Sequence, residues 1–108
     1  RCKMFVHIVA YNPDRDIIQD IDDINYELKM YKPELLRRPQ IIAINKIDLA
    51  EDKDSLSKLI SEVRARKKRY KIIPISGITR EGIKELLKTI AVTLIRLREK
   101  ENEKRRTG

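Results

Sequence analysis

The sequence has little of several things. It holds one cysteine, one histidine, three glycines, one phenylalanine and no tryptophan in 108 residues. A single thiol, Cys2, forbids an internal disulfide and fits a reducing compartment; it reads as a buried or incidental thiol, not as a nucleophile. His7 lies inside the apolar "MFVHIVA", and no histidine–cysteine spacing suited to zinc is present, so His7 reads as structural and no metal site is expected. No apolar run nears about 18 residues, which argues against a membrane span, and the N-terminus lacks the form of a signal peptide. With so few aromatics, base stacking of the kind that reads single-stranded RNA is not expected.

Charge is what the chain has in quantity. Charged residues make up 39% and the net charge is +8. Residues 1–54 carry nine Lys/Arg against eleven Asp/Glu, whereas residues 55–108 carry sixteen against six. The basic half points to a polyanion, nucleic acid being the commonest; the bland alternative is a solvated helical surface.

Apolar periodicity gives alternating elements. "MFVHIVAY" (Met4–Tyr11) is short and β-rich and ends at "NPD"; it reads as a strand buried on both faces. Ile17, Ile21, Ile24, Leu28 and Tyr31 follow helical spacing after Asp16, and Pro33 ends that helix. Ile41–Ile44 form a second strand. Asp54 or Ser55 is placed to cap a helix whose stripe is Leu56, Leu59, Ile60 and Val63, followed by the basic "RARKKRY" (Arg64–Tyr70). "KIIPIS" (Lys71–Ser76) is a third strand, with Pro74 favouring an edge. The last helix carries Ile83, Leu86, Leu87, Ile90, Leu94 and Leu97 on one side, and residues 98–108 form a basic tail, helical or disordered. The order β-α-β-α-β-α predicts an α/β fold, a parallel three-stranded sheet covered by three helices in three layers.

In such sheets ligands bind at the carboxyl ends of the strands. Asn45, Lys46 and Asp48 leave the second strand there, and Ser76, Gly77 and Thr79 leave the third. The Asp48 carboxylate offers two acceptors in one plane, which suits the two adjacent N–H donors of guanine; adenine lacks that pair. A lysine stem such as that of Lys46 covers a flat ring while its ammonium stays in water.

"NKID" matches the N-K-x-D motif of GTPases, and "ISGIT" resembles their second base-binding motif. The segment "NYELKMYKPELLRRPQIIAINKIDL", with its E-L-x-x-Y-x-P-E-L phrase from Glu27, resembles the Obg family of ribosome-associated GTPases over residues 1–97. Gly77 stands where alanine is usual, and Ala10 where an aspartate often follows the strand. The resemblance implies a partial P-loop-NTPase-like sheet and a GTP/GDP ligand. By it, Asn45 ties the loops together, Lys46 covers base and sugar, Asp48 pairs with the base edge, and Ser76 supports Asp48. The Gly77 amide meets the base oxygen, Ile78 packs beside the ring, and Thr79 holds the loop.

Neither G-x-x-x-x-G-K-[ST] nor D-x-x-G occurs. Phosphoryl transfer depends on that cradle, on Mg²⁺ and on ordered water. The expectation is therefore the C-terminal half of a G domain (residues 1–97), with no catalytic residue of its own and Mg²⁺ held only by the half not present. Arg1 would lie at an element boundary, and the first strand would be an open edge prone to self-association where a P-loop strand would otherwise flank it. The implied parent hydrolyses GTP, works in ribosome assembly with the large subunit or its RNA as partner, and resides in the cytoplasm or an organellar matrix. The alternative is a non-catalytic basic α/β module that meets ribosomal RNA or protein through Arg64–Lys71 and Arg96–Arg106.

Overall fold

The computed structural model describes residues 3–107, with side chains through residue 103; the expectations for Arg1 and Cys2 lie outside the described residues. Three strands, β1 (Phe5–Ala10), β2 (Gln40–Asn45) and β3 (Lys71–Pro74), form one parallel sheet in the order β1-β2-β3. Phe5 pairs with Gln40 and Ala10 with Asn45, while Ile41 pairs with Lys71 and Ile44 with Pro74. Helices α1 (Ile17–Tyr31) and α2 (Lys53–Arg66) are the crossovers, and α3 (Ile83–Thr107) follows β3.

The period-2 alternation of β2 splits the core in two. Ile42 and Ile44, with Val9 and Ile72, pack on Ile17 and Ile21 of α1 and Ile60 and Val63 of α2. Ile41 and Ala43, with Ile73 and Ile75, pack on Leu86 of α3, joined by Ile83 and Ile90. The result is helix–sheet–helix layering, as the alternating pattern predicts. β2 is buried on both faces from Gln40 to Ile44, which is why its apolar run is unbroken.

β1 is an edge strand, as expected, but it is not buried on both faces: on the α3 side Val6 and Ile8 are exposed, Ile8 by 63%. One helix on that face covers β2 and β3 and does not reach across to β1. The last helix differs too: Leu87 and Leu94 face outward, and the inward stripe is Ile83, Leu86, Ile90 and Leu97. Asp52, not Asp54 or Ser55, caps α2; its carboxylate accepts the Asp54 N–H at 2.9 Å and the Ser55 hydroxyl at 2.9 Å. That pairing holds the Asp52 carboxyl below the ordinary carboxylate range, the Ser55 bond contributing most. β3 ends at Pro74, two residues short of Ser76. α3 continues without a break through residues 98–107.

The two rims of the sheet differ. Phe5 N–H donates to Pro39 and Tyr11 N–H to Asn45, so the odd residues of β1 bond inward. Val6, Ile8 and Ala10 therefore turn their N–H and C=O groups outward, with no proline, lysine or bulge to blunt them. On the opposite rim Ile75 N–H donates to Ile44, which turns Ile72 and Pro74 outward. Pro74 has no N–H, and the Arg64 guanidinium donates to the Ile72 carbonyl at 2.9 Å. That rim is sealed.

Candidate functional site

β2 and β3 stop at the same edge of the sheet, and the two loops that follow are bonded to each other. Asn45, the last residue of β2, uses its side-chain oxygen twice: it accepts the Lys46 N–H at 2.8 Å and the Gly77 N–H at 3.3 Å. Lys46 then turns the chain with φ of 66°, a left-handed conformation that few residues other than glycine adopt. That turn starts a short 3-10 segment, Ile47–Leu49, which carries Asp48. Ile47 N–H donates to the Ile75 carbonyl at 3.3 Å, a second tie between the loops.

Ser76 is the centre of the arrangement. It is fully buried, and its hydroxyl donates to Asp48 Oδ1 at 2.7 Å while accepting the Thr79 N–H at 3.1 Å. Its backbone is fixed as well, by Ser76 N–H to the Glu81 carbonyl and Arg80 N–H to the Ser76 carbonyl. The Thr79 hydroxyl accepts the Glu81 N–H at 3.3 Å. Gly82, with φ of +76°, ends the loop; a β-carbon there would fall 2.1 Å from the Pro74 carbonyl oxygen. At Gly77 a β-carbon would meet nothing within 4 Å.

The structure thus brings Asn45, Asp48, Ser76, Gly77 and Thr79 into one bonded network. Lys46 and Ile78 add no side-chain hydrogen bond to it; Lys46 is exposed, and Ile78 is 82% exposed. An exposed carboxylate, an exposed lysine and an uncovered apolar side chain side by side can grip a flat polar ring at its edge and on its face. Sequence reasoning missed the ties through Ile47 and Glu81. Both act through main-chain atoms, which leave no signature in residue type.

No family model matches the chain. Individual proteins do. The chain is 40% identical over 95 residues to GTPase Obg of Caldanaerobacter subterraneus subsp. tengcongensis, covering 85% of the chain and 22% of that protein. It is 37% identical over 103 residues to GTPase Obg of Persephonella marina, covering 94% and 30%. It is 42% identical over 89 residues to GTPase Obg of Acetivibrio thermocellus, covering 81% and 20%. The chain belongs to the Obg family of GTPases. It spans between a fifth and a third of the length of these Obg relatives. The Obg chain has, among the described residues, no helix long and apolar enough to cross a membrane.

Proposed function

We propose that this chain supplies the guanine-recognition loops of an Obg-type GTPase. The observation that carries the reading is the bond between Ser76 and Asp48, which joins the two strand exits and aims a carboxylate from a buried anchor. In this reading Asp48 accepts the two adjacent N–H groups of guanine, and Ser76 fixes the rotamer that makes both acceptors available. Asn45 holds the two loops at one spacing. Lys46 lies over the base and sugar, and Ile78 closes on the ring. The Gly77 N–H exchanges its 3.3 Å bond to Asn45 for the base oxygen. That bond is long enough to give up at little cost. Thr79 keeps the second loop folded over Ser76.

Adenine offers one donor and one acceptor where guanine offers two donors. It would leave part of the Asp48 carboxylate unpaired, which is how a polar site discriminates. The phosphates of GTP or GDP, and with them hydrolysis, belong to parts of an Obg GTPase outside this chain. Among the described residues no group of three or more His, Cys, Asp or Glu side chains is placed to hold a metal ion. The residues present do not fit Mg²⁺, and no magnesium-dependent step is assigned to them. The parent's task in ribosome assembly, with the large subunit as partner, is proposed on the family resemblance.

The test is titration of the chain with GDP and ADP, followed by backbone amide shifts. GDP moves the signals of Asn45, Asp48 and Gly77 with an affinity on the order of millimolar, about −4 kcal/mol. ADP does not, and Asp48→Ala abolishes the response. Equal shifts with ADP, or shifts that survive Asp48→Ala, contradict the reading. Hydrolysis of GTP by the purified chain contradicts the absence of catalysis.

A further inference from the structure

The basic segment after α2 plays no part in guanine recognition, and neither do the cations late in α3. The fold brings them together. Glu85, Thr89, Thr93, Arg96 and Lys100 recur every three or four residues and so share one flank of α3. Beside the β3 rim, Arg64, Lys68 and Lys71 face Glu85 and Thr89 across a cavity of about 420 Å³. One turn further on, Thr93, Arg96 and Lys100 line a second cavity of about 210 Å³ against Pro39. The two form a trough along α3. Its lining includes Pro39, just before β2, and Lys71, the first residue of β3, and none of Asn45, Asp48, Ser76 or Gly77.

Four cations outside the trough are paired with acids. Arg15 pairs with Asp20, Arg66 with Glu62, Lys67 with Asp22 and Lys3 with Glu101. Among the described residues Lys68, Lys71, Arg96 and Lys100 have no carboxylate partner. Four unpaired cations with a single acid, Glu85, in a concave surface concentrate positive potential there. The acids of α1, Asp20, Asp22, Asp23 and Glu27, lie over β1 and β2 and repel an anion that approaches from that side. Tyr70 lines the trough, but its hydroxyl is held by Asn25 at 3.1 Å, and no free aromatic face is offered for a base.

We propose that this trough binds the phosphodiester backbone of a structured nucleic acid, without reading its sequence. Lys68 and Lys71 contact one run of phosphates, and Arg96 and Lys100 continue along α3. Arg64 keeps its guanidinium on the Ile72 carbonyl and shapes the wall. The site is independent of guanine recognition, since it uses none of the same residues.

The experiment measures affinity for a 16-base-pair RNA duplex and a DNA duplex of matching sequence against salt. Two fourfold variants are compared, both checked for native circular dichroism. One replaces Lys68, Lys71, Arg96 and Lys100 by Gln; the other replaces Lys29, Lys53, Lys58 and Lys84 by Gln, an equal loss of charge elsewhere. The trough variant should lower the slope of log affinity against log salt by about 0.9 for each phosphate contact removed, and the control variant should leave it nearly unchanged. A larger effect with RNA than DNA assigns the A-form backbone; an equal effect assigns phosphates of either kind. Equal losses in both variants, loss in neither, or binding to polyglutamate that matches binding to RNA overturns the proposal. GDP-induced shifts at Asn45 and Asp48, read in the same samples, report separately on the guanine loops.

Discussion

The Ser76 hydroxyl donates to the Asp48 carboxylate at 2.7 Å, joining residues 28 positions apart in sequence. One end of this bond is fully buried and the other is exposed. The buried end also receives the Thr79 N–H, so a single hydroxyl organises both loops. Ser76→Ala removes the donor for Asp48 and the acceptor for Thr79. A loss of about 1–2 kcal/mol is expected, read as a lower urea midpoint with unchanged slope. Weaker GDP shifts should accompany it. A Ser76→Ala protein as stable as the parent, with the same GDP response, would remove Ser76 from its central place.

The two loop glycines should behave oppositely. Gly82→Ala forces a side chain into a left-handed conformation and onto the Pro74 carbonyl; a loss of more than about 1 kcal/mol is expected. Gly77→Ala enters open space and should change stability by no more than about 0.5 kcal/mol. Thermal melts of the two variants check this directly, and a more damaging Gly77→Ala would reverse the reading of the loop.

His7 should make the protein sensitive to mild acid. Its ring stacks on Phe5, with centroids 5.8 Å apart, and its Nε2 lies 3.1 Å from Gln40 Oε1. Burial pushes the imidazole pKa below its ordinary value of 6.5, against a smaller upward pull from Gln40. The unfolded chain then binds the proton more readily than the folded one. The contribution of His7 to stability is complete above the ordinary value and is lost as pH falls through it and on to the lowered one. Denaturation of wild type and His7→Gln between pH 7.5 and 5.5 should show a steeper decline for wild type. Parallel curves would refute the assignment.

The bare rim of β1 should drive association. Val6, Ile8 and Ala10 turn unpaired backbone groups outward beside exposed apolar side chains. Sedimentation velocity should show a coefficient that rises with concentration, and Ile8→Lys should hold the chain as a monomer. A wild-type chain that stays monomeric throughout would show that the rim does not pair.

Much of this was legible in the residues. Ile41–Ile44 declared a strand covered on both sides, and Ile17, Ile21, Ile60 and Val63 declared the faces that cover it. Element order put the exits at Asn45 and Ser76 at one edge of a parallel sheet, and the strand order makes them neighbours. What the sequence hid was how bare one face of the first strand is. "FVHIVA" is as apolar as "IIAI", yet one lies at a rim and the other in the centre, because coverage depends on how many elements surround a strand. Leu87 and Leu94 misled for a related reason: their spacing fits the inward stripe, but α3 meets only two strands and a narrower band suffices. Asp52 was overlooked as the cap because Asp54 and Ser55 are equally good capping types. The two basic segments of the trough were legible as basic runs, Arg64–Lys71 and Arg96 onward; that both line one flank of α3 was not, since they lie about 25 residues apart and meet only in the fold.

The difference between the two rims of the sheet sets a limit on growth. Two chains that meet through β1 across a two-fold axis would form six continuous strands, and both new boundaries would be the ones closed by Pro74 and Arg64. Such an assembly stops at two by symmetry. In such a pair, the missing N–H of Pro74 and the Arg64 guanidinium on the Ile72 carbonyl would leave a further strand fewer groups to bond.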